Sequence, residues 1–81
     1  MTKDDILDSV SIIIREVLDL PDLDITEQTS AKDVDEWDSM THIQLISTIE
    51  DRYKVRFALG ELQSLKNVGD MIQLIQKKIL N

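Results

Sequence analysis

Two side chains that could share chemistry stand close together mid-chain. They are Ser39, within Asp38-Ser39-Met40, and His42, the single histidine, three residues later. A serine and a histidine one helical turn apart could act as nucleophile and base. No third group in the sequence offers to orient the imidazole, and there is no cysteine to serve as another nucleophile. A chain of 81 residues is also too small to wall a substrate cleft against water. The chain is therefore expected not to be an enzyme. A plainer role is available locally: Asp and Ser begin helices, because their side-chain oxygens satisfy the free N–H groups of the first turn. Taken alone, Asp38-Ser39 reads as a helix cap.

The acidic residues suggest calcium, so an EF-hand loop is worth testing from Asp22. Asp24 falls at the third position and Asp33 at the twelfth, but the sixth is Glu27, where the sharp turn needs glycine. Thr26 is a poor fifth ligand, and the twelfth should be a bidentate glutamate. The loop fails, and no metal site is expected. The net charge of −7 also argues against nucleic acid, whose recognition needs a basic surface. The same charge suits docking onto basic partners.

The elements around the serine follow from apolar spacing. Ile6, Val10, Ile13 and Val17 form one helical stripe, widened by Leu7, Ile14 and Leu18. Thr2 is placed to cap it, with Asp5 as capping-box partner, and Pro21 marks a stop after Leu20. Residues 19–38 show no sustained period; Leu20, Leu23, Ile25, Val34 and Trp37 are expected to pack this long loop down, with one turn near Ser30–Lys32.

A second helix begins near Asp38-Ser39, with Ile43, Ile46, Ile49 and Tyr53 recurring at helical spacing. Tyr53, Val55 and Phe57 then alternate as a strand would, but with no partner strand they read as an extended connector. A short helix near Leu59–Ser64 should bury Leu62, with Leu65 following. The last helix spans about Val68–Leu80, capped by Asn67 with Asp70 in the capping-box position. Val68, Met71, Ile72, Ile75 and Ile79 form its buried stripe. The expected fold is all-α: a four-helix bundle with three longer helices, one short third helix and a long first loop. Residues 1–81 read as a single domain.

Val34-Asp35-Glu36-Trp37-Asp38-Ser39-Met40, followed by Ile43, Ile46, Ile49, Glu50 and Tyr53, resembles the acyl carrier protein family. The likeness continues through Phe57, Leu62, Leu65 and Val68-Gly69-Asp70-Met71-Ile72, so it covers nearly the whole chain. That resemblance implies a covalent 4'-phosphopantetheine arm, derived from coenzyme A and attached to Ser39 by a phosphopantetheinyl transferase. Asp38 matches the family's acid before the serine, where it caps the helix or helps hold the transferase's metal ion. A phosphodiester at this position would meet the positive end of a helix dipole. The arm's thiol would supply the thioester that a cysteine-free chain cannot form by itself.

The resemblance further implies that the second helix docks basic patches on an acyl-loading ligase and on acyl-processing or transferring enzymes. Asp38, Glu50 and Asp51 match acidic positions there, Asp35 and Glu36 add charge just before the serine, and Met40 completes the expected docking set, although a solvated polar face would look the same. Gln44, Ser47, Arg52 and Arg56 occupy places often acidic in bacterial fatty acid carriers. Together with Glu-Trp-Asp-Ser in place of Gly-Ala-Asp-Ser, they resemble stand-alone carriers of specialised fatty acid, polyketide or related pathways. An acyl pocket would be lined by Ile43, Ile46, Ile49, Phe57, Leu62, Leu65 and Met71. Leu62 and Met71 are larger than is common there, which implies a short or polar cargo, while ordinary core packing is the plain alternative for each residue. His42 reads as an exposed side chain with no role, a phosphate contact being its alternative.

Two other functions share these features. An aminoacyl or peptidyl carrier would have the same fold and arm with a different ligase, and an unmodified acidic helical interaction module would have neither arm nor cargo. No apolar run is long enough to span a bilayer, and the polar N-terminus resembles no signal peptide, so a cytoplasmic monomer is the default expectation.

Overall fold

A computed structural model describes residues 2–79 and places four helices: α1 (Lys3–Leu18), α2 (Ser39–Tyr53), α3 (Leu59–Gln63) and α4 (Val68–Ile79). No strand occurs among the described residues. α1 packs against both α2 and α4. Its fully buried Ile6, Val10, Ile13 and Ile14 meet Leu45 and Ile49 of α2 and Val68, Ile72 and Ile75 of α4 in one core cluster. Nearly all of that core is aliphatic, as the scarcity of aromatics in the sequence requires.

Local chemistry fixes each helix end. The Thr2 hydroxyl accepts from Asp5 N–H and the Asp5 carboxylate accepts from Thr2 N–H, both at 3.2 Å, completing the expected capping box. α1 stops at Leu18, two residues before the stop that Pro21 suggests. Asp19 turns left-handed (φ 57°), and Leu20 N–H reaches back to the Arg15 carbonyl at 3.0 Å. A short polar side chain tolerates that conformation, so the helix is already closed before the proline. α2 ends the same way at Lys54 (φ 57°), with Val55 N–H donating to the Glu50 carbonyl at 3.1 Å.

The long loop between α1 and α2 is held from inside and out. Ile25, Val34 and Trp37 are buried, with Leu20 and Leu23 packed beside the core, as expected. Arg15 Nε donates to the Leu23 carbonyl at 2.8 Å. The loop also receives the first turn of α4: Val68 N–H donates to the Thr29 carbonyl and Gly69 N–H to the Glu27 carbonyl, each at 2.8 Å. Gly69 suits this closeness, since a Cβ would stand 3.1 Å from the Glu27 carbonyl oxygen and the loop would have to give by a few tenths of an ångström. The loop's single 3-10 turn lies at Ala31–Asp33, one residue later than expected.

Residues 55–58 form the extended connector, with Val55 and Phe57 half-buried and Lys54 and Arg56 exposed. α3 is tied down by Glu61, whose carboxylate accepts from Ala58 N–H at 2.8 Å and pairs with Lys78 of α4 at 2.9 Å. Asn67 Oδ1 accepts from Asp70 N–H at 2.9 Å, confirming it as the cap of α4. The Asp70 carboxylate reaches past the cap to Lys66 N–H. Asn67→Ala should cost about 1 kcal/mol. For a domain of this size that lowers the melting temperature by roughly 4–8 °C, which a thermal scan reads directly.

Candidate functional site

Ser39 is exposed and occupies the first residue of α2, with Asp38 as the N-cap. The division of labour is clear from the hydrogen bonds. Asp38 Oδ1 accepts from Thr41 N–H at 3.0 Å, and Asp38 N–H donates to Thr41 Oγ1 at 2.8 Å. Thr41 Oγ1 also donates to a carbonyl, with those of Glu36 and Asp38 both 3.1 Å away. The bond from Thr41 N–H holds the Asp38 carboxyl below the usual carboxylate range, so it is anionic at neutral pH. Asp38 and Thr41 therefore cap the helix, leaving the Ser39 hydroxyl at the surface with no structural task. The sequence singled out Asp38 but not Thr41, although a threonine three residues after a cap was a readable signal.

His42 differs from its expectation. It is half-buried, and Trp37 Nε1 donates to its Nδ1 at 3.1 Å. Burial lowers its pKa from the ordinary 6.5. The indole bond acts in the same direction, because protonating Nδ1 would break it. A buried tryptophan needs a partner for its N–H, and His42 is the one supplied.

The unfolded chain holds more protons than the fold as pH falls below 6.5, so His42's contribution to stability is full above that value. It is lost as pH drops through the folded pKa. Denaturation midpoints should decline from pH 7.5 to pH 5, and His42→Gln should flatten that slope.

The remaining predicted residues divide. Asp35, Glu36, Met40 and Asp51 are exposed, Met40 by 73%. Glu50 is half-buried, and its Oε2 accepts from Phe57 N–H at 2.9 Å, so it anchors the connector. Ile46, Ile49 and Met71 are buried in the core cluster, and Phe57, Leu62 and Leu65 are partly buried against that cluster. Ile43 does not join this group: it is 66% exposed, and Leu45, unremarked in the sequence, is fully buried instead. The inward face of α2 centres on Leu45, Ile46 and Ile49, and Ile43 projects well to one side of it. With Met40 one turn earlier it forms an exposed apolar pair beside Ser39.

A cleft of about 360 Å³ opens at Ser39, lined also by Ala31, Trp37, Asp38, His42 and Leu65. An exposed, unencumbered serine at the head of a 15-residue helix, next to a half-apolar cleft, fits a phosphate ester with a flexible chain beyond it.

The profile described as a phosphopantetheine attachment site matches residues 8–75. The acyl carrier protein of Acidothermus cellulolyticus is 31% identical, over 93% of this chain and 89% of its own. The meromycolate extension acyl carrier protein of Mycobacterium tuberculosis is 31% identical, over 95% of this chain and 67% of its own. The solution structure of the holo acyl carrier protein from Geobacter metallireducens superposes with a TM-score of 0.87 at 50% identity, covering 91% of this chain and 85% of that one.

The chain belongs to the phosphopantetheine attachment family, as an acyl carrier protein. It is a carrier and not an enzyme, and its cofactor is covalent phosphopantetheine. No described helix is long and apolar enough to cross a membrane.

Proposed function

We propose that Ser39 is the attachment point of the 4'-phosphopantetheine arm, and that the chain, a single domain over residues 1–81, carries acyl intermediates as thioesters on it. The observation that carries this reading is an exposed serine whose helix is capped by its neighbours. Its hydroxyl oxygen attacks the coenzyme A pyrophosphate. The P–O bond to the adenosine 3',5'-bisphosphate half breaks, that half leaves, and the serine proton passes to the transferase.

The pathway is a specialised fatty acid, polyketide or related one. Support comes from the thinly acidic α2, with Gln44, Ser47 and Arg52 along it, and from the likeness to a carrier named for meromycolate extension. The cargo is short or polar. Ile46, Ile49 and Met71 are buried in the core and Leu62 packs against it, and a close-packed core leaves little room for a long chain. Partners are a phosphopantetheinyl transferase, a loading ligase and acyl-processing enzymes with basic docking patches. They would meet Asp35, Glu36, Met40 and Asp51 on a cytoplasmic monomer.

The test is incubation with a broad-specificity transferase and coenzyme A, followed by intact and peptide mass measurement. One arm should appear, on the peptide containing Ser39. An arm elsewhere would end the Ser39 assignment, and no gain at all would favour an unmodified interaction module. Challenge of the loaded protein with acyl and aminoacyl ligases would separate an acyl from a peptidyl carrier.

A further inference from the structure

The cleft beside Ser39 is asymmetric. Ala31, Trp37 and Leu65 give it apolar walls, and Asp38, Ser39 and His42 supply its polar groups. Trp37 is 6% exposed, so its indole is fixed by the core, and it holds His42 with ring centroids 6.2 Å apart and planes tilted by 30°. An indole N–H can only donate, so His42 Nδ1 must present its lone pair at 3.1 Å. The neutral imidazole then carries its proton on Nε2. One tautomer is selected by a group that is itself buried in the core.

His42 also lies one turn after Ser39, where residues at this spacing are neighbours on a helix surface. The anionic Asp38 carboxylate belongs to the residue before Ser39 and lines the same cleft, so it repels a phosphodiester there. A neutral N–H donor near the serine offsets that repulsion.

We propose that His42, locked by Trp37 as the Nε2–H tautomer, is a positioning residue that donates a hydrogen bond to the phosphodiester on Ser39. The arm is thereby directed along the cleft walled by Ala31 and Leu65. This inference rests on Ser39 carrying the arm. A single neutral hydrogen bond is weak enough to release when an enzyme draws the arm into its own active site. A histidine–phosphate ion pair would hold more strongly.

The holo protein, made with a transferase and coenzyme A and labelled with 15N-histidine, tests this at a fixed pH above 7. Long-range 1H–15N spectra should show Nδ1 unprotonated and Nε2 protonated, with Nε2 shifting when the arm is added. The 31P resonance and the pantetheine methyl signals should sit away from their free-arm positions. His42→Leu should return them to those positions, and His42→Gln should restore most of the displacement, since an amide can accept from Trp37 and still donate. Trp37→Phe should convert one tautomer into a mixture. Thermal unfolding of each variant establishes that the fold is kept.

An Nδ1-protonated ring in the wild type would overturn the proposal without any variant. So would identical 31P and methyl signals in wild type and His42→Leu. If no arm is found on Ser39, the attachment assignment itself fails. An arm that is present but indifferent to His42 defeats only this inference.

Discussion

Ser39→Ala should take up no phosphopantetheine under conditions that convert the wild-type chain completely, a total loss and not a slowing. Alanine has no oxygen to form the ester. The variant is informative because the structure predicts it to fold normally. Ser39 is the first helical residue and not the cap, and Asp38 and Thr41 satisfy each other without it. Alanine is the best helix former, and the site is exposed, so the stability change should stay within about 0.5 kcal/mol. Circular dichroism and a urea titration beside the mass measurement check this.

Asp38→Asn sharpens the result. It keeps an oxygen for Thr41 N–H and removes only the charge. Slower modification of an Asp38→Asn chain with unchanged helix content would show that the carboxylate serves the transferase as well as the cap. An undiminished rate would leave capping as its whole role. Uptake of an arm by Ser39→Ala would move the attachment site elsewhere and remove the basis for reading the cleft as its surroundings.

The sequence disclosed most of what positions the serine, for identifiable reasons. α1 and α4 have stripes at unambiguous helical spacing, and Ile6, Val10, Ile13, Met71, Ile72 and Ile75 are buried as that spacing requires. The loop was legible through its apolar residues, because a long unperiodic stretch carrying Ile25, Val34 and Trp37 has to bury them.

What the sequence does not show depends on side-chain direction or on partners far along the chain. Ile43 and Ile46 are three apart, as are Ile46 and Ile49, and nothing in that run shows which edge of the stripe faces out. Leu45 decides it, by falling on the same inward face as Ile49. Glu50 reads as a surface acid until the chain turns at Lys54 and brings Phe57 N–H to its carboxylate. Its conversion to lysine would therefore disturb the connector as well as any docking, so Asp51 and Glu36 are the cleaner probes of partner contact. The bond from Trp37 to His42 spans the cap between loop and helix, where neither helical nor strand periodicity applies.

Ile49→Ala and Ile43→Ala should separate sharply, although the two residues look equivalent in sequence. Ile49 is fully buried in the cluster where α2 meets α1. Truncation removes transfer free energy and leaves a cavity, together about 2–5 kcal/mol. At the usual 0.05–0.15 kcal/mol per residue, 81 residues give a total stability of only about 4–12 kcal/mol. The variant should therefore stand near the edge of unfolding, with its urea midpoint lower by roughly 2 M or more if the slope is about 1 kcal/mol/M.

Ile43 is two-thirds exposed, and its loss should stay within about 0.5 kcal/mol. The functional consequences should run the other way. Ile43→Ala, still folded, alters the apolar pair with Met40 beside Ser39, so it should change partner kinetics at unchanged stability. Ile49→Ala should lose modification only in proportion to the fraction unfolded, and recover it on cooling toward the temperature of greatest stability. Equal destabilisation by both substitutions would mean that Ile43 faces inward, and the assignment of the faces of α2 would have to be redrawn.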